Sequence, residues 1–159
     1  MWYGNWFGNW LGDGDTQYGN QDSEMIKGII YILENDAAVI AIVGEKEREG
    51  GTGDYKIYPV VAPSTEKAPY VVIRQTGGVR LGKGQCGRTV EFTTASVATS
   101  YDTVSDLDDA IIDALETAGA GIYNGVTMSS ISAINLSADD FNLEHKVYLK
   151  LSTYQVNIQ

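Results

Sequence analysis

The sequence predicts an α+β fold: a mainly antiparallel sheet packed with two helices, in the order α-(α)-β-β-β-α-β-β, preceded by an extended N-terminal arm. Three observations lead there. Apolar residues recur at helical spacing in two places, Ile26 to Leu33 and Val104 to Leu115. Several runs rich in β-branched and aromatic residues are bounded by Gly and Pro. The strand-like runs are grouped instead of alternating one-for-one with helices, which favours antiparallel pairing.

Residues 1–21 differ from the body, 22–159, and are expected to form an arm. Trp2-Tyr3-Gly4-Asn5, Trp6-Phe7-Gly8-Asn9 and Trp10-Leu11-Gly12-Asp13 make a four-residue repeat that holds all three tryptophans of the chain. A glycine at every fourth position weakens a helix by roughly 1 kcal/mol each, and without Lys or Arg the segment does not read as a signal peptide. Each aromatic can bury about 150–250 Å². Trp2, Tyr3, Trp6, Phe7, Trp10 and Leu11 are therefore expected to be interface residues, docking on a neighbouring subunit or another protein. Packing on their own domain and glycan binding through the indole faces are the alternatives. Asp13-Gly14-Asp15 resembles the start of a calcium loop, but Gln17 and Tyr18 stand where the loop needs Asp or Asn and Gly.

In the body, Asp22 or Ser23 can cap a first helix, with Ile26, Ile29, Ile30 and Leu33 on one stripe. Ala37 to Val43 reads as a short second helix stopped by Gly44. Tyr55 to Val60 is expected to be a strand, with Pro59 at an edge or strand end. Tyr70 to Thr76 and Arg88 to Ala95 are the next two strands, joined by a long hairpin loop from Gly77 to Gly87. A second main helix, Thr103 to Ala118, carries Val104, Leu107, Ile111 and Leu115 on its stripe, and Gly119 and Gly121 end it. Gly125 to Leu136 and Glu144 to Ile158 are the last two strands. In the final one the apolar positions switch from Val147, Leu149 and Leu151 to Tyr154, Val156 and Ile158, which suggests a bulge or a tail packed elsewhere.

Composition restricts chemistry. The chain has 159 residues, 11 Lys+Arg against 21 Asp+Glu, a formal net charge of −10, one histidine and one cysteine. The length suits one domain. No run of about 18 apolar residues spans a membrane, and an acidic chain lacks the basic excess of a general nucleic-acid binder. A disulfide framework is excluded by the lone Cys86, and a multi-histidine metal site by the lone His145, which lies in a strand-like run. Gly82-Lys83-Gly84-Gln85-Cys86-Gly87 matches G-x-G-x-x-G, and Gly77 to Lys83 matches G-x-x-x-x-G-K. Both motifs need a helix next, and a strand follows here, so no phosphate cofactor is expected. The loop is the one locally basic element. Arg80, Lys83 and Arg88 make it a candidate contact for an acidic neighbour, the alternative being a solvated loop. The pairs Asp108-Asp109 and Asp139-Asp140 are adjacent in sequence, do not face each other on a helix, and are expected to be solvated surface. Nothing in the chain points to an enzyme or a cofactor.

Leu33-Glu34-Asn35-Asp36-Ala37-Ala38-Val39-Ile40-Ala41-Ile42-Val43-Gly44, then Lys56-Ile57-Tyr58-Pro59-Val60-Val61-Ala62-Pro63 and Ala68-Pro69-Tyr70-Val71-Val72, then Val90-Glu91-Phe92 and Leu107-Asp108-Asp109-Ala110-Ile111 form an ordered set. With it the chain, over about residues 24–159, resembles the tail-completion or tail-terminator proteins of long-tailed bacteriophages. The resemblance implies a non-enzymatic virion protein of the tail-neck region, assembled in the host cytoplasm. It implies a homo-oligomeric ring, a hexamer, that caps the tail tube and joins it to the head-side connector. Its partners would be further copies of itself, the tail tube protein, the head-completion or connector protein and, in a contractile tail, the sheath protein. Genomic DNA would pass without specific binding. Another neck or tube component such as a head-completion protein, or a small glycan-binding module, is the alternative.

Overall fold

A computed structural model of the protein describes residues 20–45, 54–80 and 88–158, with the backbone alone described for 20–23, 79–80 and 137. In chain order the elements are α1 (Asn20–Glu34), α2 (Ala37–Val43), β1 (Ile57–Pro59), β2 (Tyr70–Arg80), β3 (Arg88–Ala98), α3 (Tyr101–Ala118), β4 (Gly121–Tyr123), β5 (Val126–Met128), β6 (Ser132–Asn142) and β7 (Val147–Ile158). The strands form one sheet in the order β1-β2-β3-β7-β5-β4, with β6 pairing along β7 beside β5. β1 joins β2 in parallel, and every other pairing is antiparallel. The predicted α+β class holds.

Local chemistry explains the helix ends. Asp36 Oδ1 accepts hydrogen bonds from Ala38 N and Val39 N, both at 3.0 Å, and so caps α2. Gly44, at φ +69°, supplies the left-handed residue that stops it. Ser100 caps α3 by accepting from Thr103 N at 3.2 Å, and Asp102 lies in the first turn, where the helix dipole favours it.

The sheet buries both of its faces. On one, Val71, Ile73, Val90, Phe92, Tyr154 and Val156 meet α1 and α2 through Met25, Ile29, Leu33, Val39 and Val43, and α3 through Leu107, Ile111 and Leu115. Phe92 and Tyr154 are register partners, and their rings stack at 5.2 Å. On the other face a smaller core joins Val72, Ala95, Val97, Val147 and Leu149 to Tyr58, Tyr70 and Ala62. The connector from β1 to β2 brings Ala62 there. Glu66, midway along it, accepts a hydrogen bond from the Tyr58 hydroxyl and lies 3.6 Å from Lys56 Nζ.

These two cores correct the expectation of a bulge or displaced tail after Thr153. β7 keeps unbroken register with β3 from Tyr148 to Ile158. Its apolar positions change phase because its first half feeds the small core and its second half the large one. Other boundaries also move. The helix backbone begins at Asn20, ahead of both expected caps, whose side chains are outside the description. Only Ile57–Pro59 of the run Tyr55 to Val60 is strand, and α3 starts at Tyr101. β2 continues through Gly77 and Gly78 to Arg80, which shortens the expected loop. The single strand expected over Gly125 to Leu136 is instead the end of a β4–β5 hairpin followed by β6; Asn124 (φ +48°) and Gly125 (φ +81°) make the turn. His145 lies in the turn between β6 and β7, outside any strand.

Burial pushes the Tyr70 hydroxyl pKa up to about 12, with Glu66 adding to the effect. Burial, then the charge of Asp108, also raises that of Tyr154. The folded state thus holds these protons more tightly than the unfolded chain, whose tyrosines titrate near 10. Stability is expected to be undiminished by these groups below about pH 10 and to fall as pH rises towards about 12. Urea denaturation between those pH values checks this: Tyr70→Phe should lose less stability across the window than the parent.

Candidate functional site

The residues singled out as contacts are only partly within the description. Trp2, Tyr3, Trp6, Phe7, Trp10 and Leu11 lie outside it, as do Asp13 to Asp15, Lys83 and Cys86. The other two basic loop residues are brought together: Arg80 ends β2 directly opposite Arg88, the half-buried first residue of β3.

A second surface was not anticipated from sequence. β6 borders the sheet along 11 residues, pairing with β7 on one side and with no described strand on the other. It exposes large apolar side chains: Ile134 is 43% exposed, Leu136 54%, Phe141 39%, and Leu143 at the hairpin tip 82%. Register shifts between Ala133 and Asn135 and between Asn135 and Ala138 bend it. Beside the tip an aromatic group is locked in place. Tyr148 packs edge-on against Tyr101 at 5.9 Å and tilted against Phe141 at 4.6 Å. Asp139 accepts from the Tyr101 hydroxyl at 3.0 Å and pairs with Lys150 Nζ at 3.1 Å, while Lys150 sits 5.3 Å from the Tyr101 ring centroid. Burial alone would lower the Lys150 pKa, but the hydrogen bond to Asp139 and its charge, together with smaller contributions from Tyr101 and Asp108, outweigh it and hold the value above the ordinary one. Rigid aromatics beside exposed apolar side chains suit an interface, where aromatic residues are enriched. Asp139-Asp140 inside a strand was the available signal, because charges in mid-strand mark an edge.

Asp108 overturns the expectation that both acidic pairs are solvated. It is fully buried beneath α3, and Ser152 Oγ donates to its two carboxylate oxygens at 3.0 and 3.2 Å. Thr94 and Ser96, also fully buried, add hydroxyls to this seam between helix and sheet. Asp109, next along the helix, is exposed. The arrangement ties α3 to β7. An open groove of about 460 Å³ lies between the C-terminal ends of α1 and α3, lined by Tyr31, Asn35, Asp36, Asp113 and Tyr123 among others. Asp36 there is committed to capping α2. Among the described residues no group of three His, Cys, Asp or Glu is placed to hold a metal, and no helix is long and apolar enough to cross a membrane.

No family model and no curated protein matches the chain. Its fold is similar to that of a chain in a solved structure described as the virion of a native gene transfer agent particle. The TM-score is 0.65 at 14% identity, and the match covers 88% of this chain and 98% of that one. At that identity the likeness concerns the fold.

Removing a donor from a buried carboxylate costs about 2–3 kcal/mol. Ser152→Ala is therefore expected to lower unfolding free energy by about that amount in chemical denaturation, whereas Asp109→Ala on the exposed face should change it by no more than about 0.5 kcal/mol.

Proposed function

We propose that the chain is a structural virion protein that forms a ring, a hexamer, terminating a phage tail tube and joining it to the head-side connector, with DNA passing through the bore. One observation carries the reading: the fold match extends over nearly the whole length of a chain from the virion of a gene transfer agent particle. The ordered motifs from Leu33 to Ile111 support the narrower role.

The surfaces of the domain suit such an assembly. A cyclic ring needs two different complementary patches on each copy, because its contacts are head-to-tail. The domain presents an apolar, aromatic-flanked edge at β6 and a basic hairpin end at Arg80 and Arg88. With the arm residues Trp2 to Leu11 they are the proposed contacts with further copies, the tube protein and the connector protein. The net charge of −10 fits a conduit. Phosphate is retained by clustered Lys and Arg, which release its counterions, whereas a carboxylate-lined bore repels it and lets DNA slide. No step of this role requires catalysis or a cofactor.

Electron microscopy of the purified protein, alone and mixed with tail tubes, tests the reading. Sixfold rings capping one end of each tube are expected. A protein that stays monomeric and leaves tube ends bare would overturn the role, and rings seated directly on a portal would reassign it to a head-completion protein.

A further inference from the structure

We propose that the chain's own segment Trp2–Leu11 docks along the outer edge of β6, over the apolar strip from Ile134 to Leu143. The proposal concerns one segment and one strand and does not depend on ring formation; in an assembly, the surface offered to further copies on this side is then the β6 edge with its arm in place, not the bare strip.

The receiving surface has the character of a covered one. β6 offers 11 residues of strand whose outer side meets no described strand, together with four large apolar side chains at 39–82% exposure. A long apolar edge left open in water recruits other strands and aggregates. The other edge strands, β1 and β4, are by contrast three residues long, and β1 holds Ile57 and Tyr58 inside the cores. Of its two carboxylates, Asp139 is paired with Lys150 and Asp140 accepts from Phe141 N, so each has a partner on its own chain. A neutral apolar partner suits it better than a charged one.

The occupant has matching chemistry and reach. Residues 2–11 contain no charged side chain and six large apolar ones. Laid out as a strand, Trp2, Gly4, Trp6, Gly8 and Trp10 fall on one side and Tyr3, Asn5, Phe7, Asn9 and Leu11 on the other. Such a segment can complete the open backbone ladder of β6 while its indoles lie over the exposed aliphatics, the mode of strand addition. α1 packs where the segment must start: a Cβ at Gly28 would lie 2.8 Å from Met128 Cε, and Met128 precedes the first residue of β6 by four positions. From Gly28 back to Asn20 is about 12 Å of helix, and from Asn20 to Leu11 up to about 30 Å of chain. The segment therefore has up to about 30 Å of chain beyond the helix with which to approach the strip.

All three tryptophans lie in the segment, so indole fluorescence of the full-length protein reports its surroundings and nothing else. A blue-shifted, poorly quenched emission is expected in the parent. Leu136→Asp should shift it towards that of the urea-unfolded chain and raise iodide quenching while the far-ultraviolet circular dichroism stays unchanged. Emission already solvent-like in the parent, or identical in a folded Leu136→Asp variant, would overturn the proposal. A photo-crosslinking side chain at position 143 provides a measurement that does not depend on the variant's folding energetics. Adducts within residues 1–19 support the docking. Adducts with β6 of a second copy in their place would assign the edge to sheet-to-sheet pairing and overturn it.

Discussion

The 11 consecutive pairs between β3 and β7 are the constraint on which the rest of the structure depends. In a strand, neighbours point to opposite faces, so a slip of β7 by one position would turn each of its side chains to the other core. Phe92 would lose its stack with Tyr154, and Val147 and Leu149 would turn from the small core to the large one. The register also fixes Ser152 under α3, where it meets Asp108. A polar contact between elements 44 residues apart in sequence therefore depends on alignment set by apolar packing. The two reinforce each other, because a buried carboxylate is tolerated only where donors meet it.

The two edges of the sheet are handled in different ways. On the β1 side the edge is short and parallel, and Pro59, which has no N–H to donate, ends it. The neighbouring connector is held by Tyr58, Glu66 and Lys56. On the β7 side the edge is divided between β6, paired as far as Gln155, and β5, paired at Ile158. Ser129 fills the step between them: its N–H donates to Asn157 O at 2.8 Å and its hydroxyl accepts from Asn157 N at 2.9 Å. A side chain there takes the place of a ladder position. The domain therefore has one closed side and one apolar, open side, an asymmetry suited to directional contacts.

Local signals were legible in the sequence, and distant ones were not. The stripe Val104, Leu107, Ile111 and Leu115 is wholly buried, and Gly44, Gly119 and Pro59 end the elements they were expected to end. Each depends on chemistry within one turn of the chain. Asn124-Gly125 between two short apolar runs was a readable hairpin signal, and the continuous strand expected over Gly125 to Leu136 obscured it. The burial of Asp108 could not be read locally, since its partner lies on β7. The exposure of Ile134 and Leu136 was hidden for a similar reason. Alternation with polar residues looks the same on a half-buried strand and on an edge whose apolar side faces outward. Of the contact residues expected from sequence, the description reaches Arg88 in full and Arg80 through its backbone.

Placing β7 beside β3 has a consequence for the order in which the protein is made. The strand that completes the centre of the sheet is paired with residues made 50 to 70 positions earlier, from Ala98↔Tyr148 to Arg88↔Ile158. At about 5–20 residues per second, the ribosome supplies that partner some 3–14 s after β3 has emerged. During that interval β3 has one bare edge, and the small core lacks Val147 and Leu149. The nascent chain thus passes through a stage in which the strand destined for deepest burial is its least protected, and a chaperone that shields Val90 to Ala98 would act at the moment of greatest need.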